Sequence, residues 1–258
     1  VKLNDLLKVL EGVAPLSLSD EFCKKLSAYD NSGIIIDCKK DICGVLFSLD
    51  LSPKAVERAT ELGYNLIVTH HPAIYGGIKN IQADGDTKAL FECVKRGISV
   101  ISMHLNFDSG VKGIDYYLMK GLGGHDEKIM IKLSQGGYGR VYSVDETSFF
   151  QYVEDTKLNF STQRVICYGG EKKVKKVASF CGAGCDEEAI EFATQNNADV
   201  FVSADLKHHH ITALMQRGIN IIQLTHYASE TYGFGKIYNE ISAGLKIPST
   251  LFIDGDLM

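Results

Sequence analysis

The sequence predicts an α/β protein made of a duplicated unit, each copy a largely parallel sheet covered by helices. Helix-period patterns alternate with short β-rich runs in a βαβαβ rhythm. The boundaries carry helix punctuation, with serine before, proline in the first turn and glycine just past the end. The rhythm then recurs in the second half with matching residues.

In chain order, Leu3, Leu6, Leu7 and Leu10 fall on one face of an opening helix. Ile34-Ile35-Ile36 and Val45-Leu46-Phe47-Ser48-Leu49 read as strands. Ser52-Pro53 opens a helix through Val56, Ala59 and Leu62 that stops at Gly63. A strand over 65–69 follows, then a helix over 87–96 ended by Gly97, then a strand over 98–103. In the second half, 177–180 is a strand, 181–185 a Gly-rich turn and 186–196 a helix. Residues 198–203 form a strand, 210–217 a helix capped by Gly218, and 219–224 a strand. Ala59-Thr60 aligns with Ala193-Thr194, Leu66-Ile67-Val68-Thr69 with Val200-Phe201-Val202-Ser203, and Arg96-Gly97-Ile98 with Arg217-Gly218-Ile219. Residues 1–120 are the first repeat and 121–258 the second, within one compact unit, with the C-terminal helix expected to pack back on the first. The first half is longer by a Gly-rich loop over 72–86.

Bulk properties narrow the function classes. A chain of 258 residues with 45% hydrophobic and 23% charged residues can bury a full core. A net charge of −5 argues against nucleic acid as a partner, and Lys172-Lys173-Val174-Lys175-Lys176 reads as the solvated start of a strand. The N-terminal residues interleave charges with apolar side chains, unlike a signal peptide, and no apolar run is long enough to span a bilayer. The expected compartment is the cytoplasm. Seven irregularly spaced cysteines fit reduced thiols, and Cys181-Gly182-Ala183-Gly184-Cys185 reads as a tight turn rather than a metal knuckle.

Three segments carry the chemistry: His70-His71-Pro72, His104 with Asp108, and His226 with Glu230. Each follows a strand, so each lies at a carboxyl edge, where ligands collect in α/β folds. Adjacent histidines point in different directions, and one can serve each of two ions. Asp108 and Glu230 each offer two oxygens to bridge a pair. The competing expectations are that Asp108 with Ser109 caps a helix around 114–120, and that Glu230 is an exposed first-turn glutamate. Asp205-Leu206-Lys207-His208-His209-His210 occupies the strand end equivalent to His70, and Asp205 and His209 are expected to orient ligands or contact substrate. If the two halves bring their strand ends together, three histidines and two carboxylates suffice for two divalent ions, with zinc, iron, manganese, cobalt and nickel not distinguished. A water bridging such ions becomes a nucleophile near neutral pH.

Six segments in order resemble the YbgI-like dinuclear metal-binding family, whose members are commonly named GTP cyclohydrolase I type 2. They are Asp30-Asn31-Ser32-Gly33, Asp50-Leu51-Ser52, Val68-Thr69-His70-His71-Pro72, His104-Leu105-Asn106-Phe107-Asp108, Ser203-Ala204-Asp205-Leu206-Lys207-His208-His209 and Leu224-Thr225-His226-Tyr227-Ala228-Ser229-Glu230. The resemblance implies two intertwined α/β repeats with mixed, mostly parallel sheets flanked by helices. It implies two divalent metal ions per subunit on His70, His71, Asp108, His226 and Glu230, with His104 nearby as a catalytic acid/base or supporting residue. It also implies a homohexamer with metal sites facing an inner cavity. Ala204 and His208 depart from the family's usual Gly and Tyr, and neither change removes a ligand. The expected function is a GTP cyclohydrolase-like hydrolase, in which a metal-bridged hydroxide attacks a nucleotide or related heterocycle and GTP is the candidate small-molecule substrate. The alternative is a non-enzymatic metal-binding oligomer that docks or regulates a partner. No phosphate-binding loop is present, and Lys79, Lys207 and Arg140 are the cations named for a triphosphate, with nothing in the sequence to select them.

Overall fold

The computed structural model describes residues 1–258. The chain separates into two compact units, residues 1–110 with 234–253, and residues 111–233 with 254–258. The architecture is mixed α/β, with two mixed sheets flanked by helices.

The first unit begins with helices α1 (Leu3–Val13) and α2 (Leu16–Leu26) and continues through strands β1 (Gly33–Ile36) and β2 (Val45–Ser48). Helix α3 (Pro53–Glu61), strand β3 (Leu66–Thr69), helix α4 (Lys88–Arg96), strand β4 (Ser99–Ser102) and the short helix α5 (Leu105–Ser109) follow. Helix α3 starts where Ser52 accepts a hydrogen bond from the Ala55 amide, with Pro53 in its first turn. Gly97 ends α4 at a φ of 69°, the left-handed conformation that glycine adopts without a Cβ penalty.

In the second unit, helix α6 (Ile114–Gly121) precedes strands β5 (His125–Lys132) and β6 (Gly137–Ser148), helix α7 (Phe149–Asn159) and strand β7 (Val165–Tyr168). Strand β8 (Lys173–Ser179), helix α8 (Glu187–Gln195), strand β9 (Val200–Ser203), helix α9 (His208–Gln216) and strand β10 (Asn220–Leu224) complete its repeat. Helix α10 (His226–Ser242) runs from this unit into the first, which also receives strand β11 (Ser249–Leu251).

The first sheet has the order β1-β4-β3-β2-β11, parallel throughout except for β1 against β4. Strands β2, β3 and β4 are buried at every position, as expected of parallel strands covered on both faces. The second sheet has the order β5-β6-β8-β9-β10-β7, and only β8-β9 and β9-β10 pair in parallel. The expectation of mostly parallel pairing thus holds for the first sheet and is corrected for the second. The cause is the segment between the repeats, whose antiparallel β5-β6 pair and strand β7 flank the parallel centre.

The duplication extends to packing. Ala55, Val56 and Ala59 of α3 pack with Ile67 and Val100 in the first unit. Ala189, Ile190 and Ala193 of α8 pack with Phe201 and Ile221 at the matching positions of the second. Small residues at the helix face let each helix lie close to its sheet, and the larger strand side chains fill the space.

Candidate metal centre

In the first unit the imidazoles converge at the carboxyl edge of β3 and β4. His70 is fully buried, and its Nδ1 donates to the Met103 carbonyl at 2.9 Å. A carbonyl only accepts, so this bond places the Nδ1 proton and turns Nε2 toward Asp108, whose Oδ1 is 3.4 Å away. His71 Nδ1 lies 2.7 Å from Asp50 Oδ1, and His104 Nδ1 lies 2.8 Å from Asp30 Oδ1. The His70 ring centroid is 4.9 Å from that of His71 and 5.2 Å from that of His104.

Asp108 sits on α5, one turn after His104, and its amide donates to the His104 carbonyl at 3.0 Å. It is buried, and the helix Ile114–Gly121 is preceded by Gly113 with no side-chain cap, so Asp108 does not serve as that cap. Potential ligand atoms of His70, His104 and Asp108 all lie within 4.8 Å of one another. This grouping could hold a metal ion.

Asp30 anchors this edge. Burial acts to raise its pKa, but hydrogen bonds from His104, Ser19 and Ser32 outweigh burial and hold the carboxyl well below the usual carboxylate range. Ser32 also accepts from the His104 amide at 2.9 Å, so the same short segment fixes both the backbone and the ring of His104.

The second unit carries its own set. His226 Nδ1 is 2.6 Å from Asp205 Oδ2, and His226 Nε2 is 3.1 Å from Glu230 Oε1 one helical turn along α10. Glu230 is 2% exposed, which overturns the expectation of a solvated first-turn glutamate. Gly182 backs this pair with a φ of +58°, and a Cβ built on it would lie 2.5 Å from Glu230 Oε1 and 3.2 Å from His226 Nε2. The Gly182 amide donates to Ser229 Oγ at 3.1 Å, and its carbonyl accepts from the Ala204 amide at 3.0 Å. Asp115 holds the preceding residue by accepting from the Cys181 amide at 3.1 Å.

His208 and His209 are exposed on α9, whereas His210 is buried. Burial lowers the His210 pKa, with neighbouring His209 and Lys207 acting in the same direction. The structure brings Asp205 to His226 and leaves the exposed His209 with its ring 4.2 Å from His210. Arg140 is not a surface cation for a triphosphate. It is 1% exposed and paired with Asp115 and Glu127. Lys79 and Lys207 are exposed.

The two His–carboxylate pairs share a spacing, but the register shows that they do not occupy equivalent positions. Leu66 pairs with Ser99 in the first unit as Val200 pairs with Asn220 in the second. Counting five residues on from Ser99 and Asn220 makes His104 the counterpart of Thr225, not of His226. The caps agree. His104 precedes α5, and Thr225 Oγ1 accepts from the Ala228 amide at the start of α10. A one-residue step turns a helical side chain by about 100°. The second pair therefore leaves its own helix in a different direction from the first.

Asp30, Asp50 and Gly182 were not singled out as site residues by the sequence. The first two stood within the resembling segments, and the third within the Gly-rich turn.

The donor set fits divalent metal. Four imidazoles each have Nδ1 engaged by an oxygen, the arrangement that orients metal-binding histidines, and carboxylates lie beside Nε2 of His70 and of His226.

Comparisons with known proteins agree with this fold. A protein of Campylobacter jejuni named GTP cyclohydrolase 1 type 2 homolog is 30% identical over 237 residues, covering 90% of this chain and 88% of its own. A Clostridium perfringens protein of the same name is 29% identical over 238 residues, covering 89% and 87%. The crystal structure of a Staphylococcus aureus hypothetical protein superposes with a TM-score of 0.83 at 25% identity, covering 100% of this chain and 98% of that one. The family profile described as Duf34/NIF3 (NGG1p interacting factor 3) matches residues 1–254, and the chain belongs to that family.

Proposed function

We propose that this protein is a metal-dependent hydrolase of a nucleotide or related heterocycle, using two divalent ions. Their ligands are His70, His71 and Asp108 from the first unit and His226 and Glu230 from the second. The observation that carries the reading is the shared state of the four imidazoles: each Nδ1 is committed to an oxygen, which leaves Nε2 as the atom offered to a ligand. GTP is the candidate substrate because relatives at 29% and 30% identity carry GTP cyclohydrolase in their names.

A bound ion pair supplies Lewis acidity and a nucleophilic water at neutral pH. The chain's own residues supply orientation and proton handling. The Met103 carbonyl, Asp50 and Asp205 fix the tautomers and ring directions of His70, His71 and His226. His104, held through Nδ1 by an ionised Asp30, keeps Nε2 available to carry a proton to a leaving group. Gly182 keeps the space beside Glu230 and His226 clear. A homohexamer is part of the proposal, and light scattering on the native protein tests it.

The decisive experiment is metal analysis of the native protein, then a panel of GTP, other nucleotides, phosphoesters and amides. Asp108→Ala is expected to lose both metal and turnover. Turnover retained after metal is lost would refute the mechanism. A protein that binds metal, keeps its assembly through it and leaves the whole panel unchanged would be a metal-dependent scaffold instead.

A further inference from the structure

Beside the first unit's imidazoles stand two largely exposed aromatic side chains. Tyr29 and Tyr75 are each 57% exposed. Their rings meet edge to face, with centroids 5.9 Å apart and an interplanar angle of 79°. Tyr75 also meets His104 edge to face, at 6.2 Å and 89°. One end of the aromatic pair therefore abuts the imidazole group while much of its surface faces solvent. Scattered exposed apolar residues are ordinary, but adjoining exposed aromatics next to a set of polar site residues mark a binding surface.

Tyr75 is held in place. It lies in the loop over 72–86 by which the first repeat exceeds the second, so the duplicated scaffold does not require it. The Ala73 amide donates to Ser102 Oγ at 3.0 Å, and Asn31 Nδ2 donates to the Ile74 carbonyl at 2.6 Å. The Tyr75 hydroxyl reaches the Tyr29 carbonyl at 3.4 Å. These bonds tie the start of the loop to β4 and to the segment before β1, where Asp30 and Ser32 hold His104.

We propose that Tyr75, backed by Tyr29, is a stacking platform that binds the planar heterocycle of the substrate beside His104. This rests on the hydrolase reading above and adds the residue that selects a ring-bearing substrate. Nucleobases present a π face whatever their edge substituents, and a tyrosine face takes it with little loss of side-chain freedom. The platform would bind the base and leave the metal ligands to the reacting atoms.

The chain contains no tryptophan, so Tyr75→Trp installs a single indole at the platform that can be excited apart from the tyrosines. Guanosine and GTP are expected to quench it, and ribose 5-phosphate, which has no aromatic base to stack, is not. Tyr75→Ala is expected to weaken guanosine binding, measured by calorimetry on the metal-loaded protein, by roughly 5- to 150-fold. KM for a ring-bearing substrate should rise far more than kcat falls, and Tyr75→Phe should restore affinity. Unchanged guanosine affinity in Tyr75→Ala, or a flat fluorescence titration, would overturn the platform. The two readings fail separately. Ring-dependent quenching in a protein with no turnover keeps the platform and removes the hydrolase. Turnover of GTP that is indifferent to Tyr75→Ala keeps the hydrolase and removes the platform.

Discussion

Replacing Asp115 by Asn tests whether a buried ion pair supports the Gly182 turn. The Asp115 and Arg140 side chains are 0% and 1% exposed, and they form an ion pair. Asp115 also accepts from the Gly139 amide at 2.9 Å and the Cys181 amide at 3.1 Å. Asparagine keeps the shape, removes the charge and turns one acceptor into a donor facing other donors. Arg140 keeps Glu127, whose side chain is 29% exposed and more strongly screened. Breaking a buried pair by removing one partner costs about 3–5 kcal/mol. At about 2–4 °C per kcal/mol for a chain of this size, Tm should fall by roughly 6–20 °C. Urea unfolding followed by far-ultraviolet circular dichroism, with calorimetry alongside, measures both quantities. Glu127→Gln, at the exposed end, should cost about 1 kcal/mol or less. A loss below about 1 kcal/mol for Asp115→Asn would refute the view that this pair governs the turn.

Four further outcomes are expected. Asp205→Ala and Asp50→Ala should each weaken metal binding about 10- to 100-fold in a chelator competition, because each removes the acceptor that orients a histidine. Gly182→Ala should cost about 1–2 kcal/mol through its left-handed φ alone, and it should also reduce metal content, because the new methyl group meets Glu230. Asp30 has a folded-state pKa below its ordinary value, so its contribution to stability is complete above the unfolded carboxyl's pKa and is lost as pH falls through the folded one. Urea midpoints taken from pH 6 down to pH 3 should decline less steeply in Asp30→Asn than in the unaltered protein. Burial pushes the Cys93 and Cys185 thiols up to about 12, whereas Cys43 and Cys167 are exposed. An aromatic disulfide reagent at pH 8 should therefore label Cys43 and Cys167 fast and leave Cys93 and Cys185 unmodified until the protein unfolds.

Much of the scaffold was legible because its signals are local. Ser52-Pro53 and Gly97 announce helix ends through backbone geometry that neighbouring residues decide. The alternation of helix and strand located the parallel strands at the centre of both sheets. The added strands of the second sheet were harder to orient, because a short run of β-formers carries no record of its partner's direction. The site was legible in its histidines and illegible in their supports. Asp30 lies 74 residues from His104 and Asp50 lies 21 from His71, and no periodicity links such positions. Nothing local in the sequence separates Arg140 from a surface cation, because its burial against Asp115 comes from residues 25 apart. Gly182 needs its missing Cβ only because α10 approaches the turn, which is a tertiary fact.

The shift between His104 and Thr225 has a practical consequence for anyone transplanting ligands from one repeat to the other. Matching the two motifs by their common spacing would set the grafted imidazole about 100° away from its intended heading. The graft has to be threaded from the helix start, with Thr225 taking the place of His104. A designer who copies the letters alone would build a well-folded protein whose donors face the wrong way.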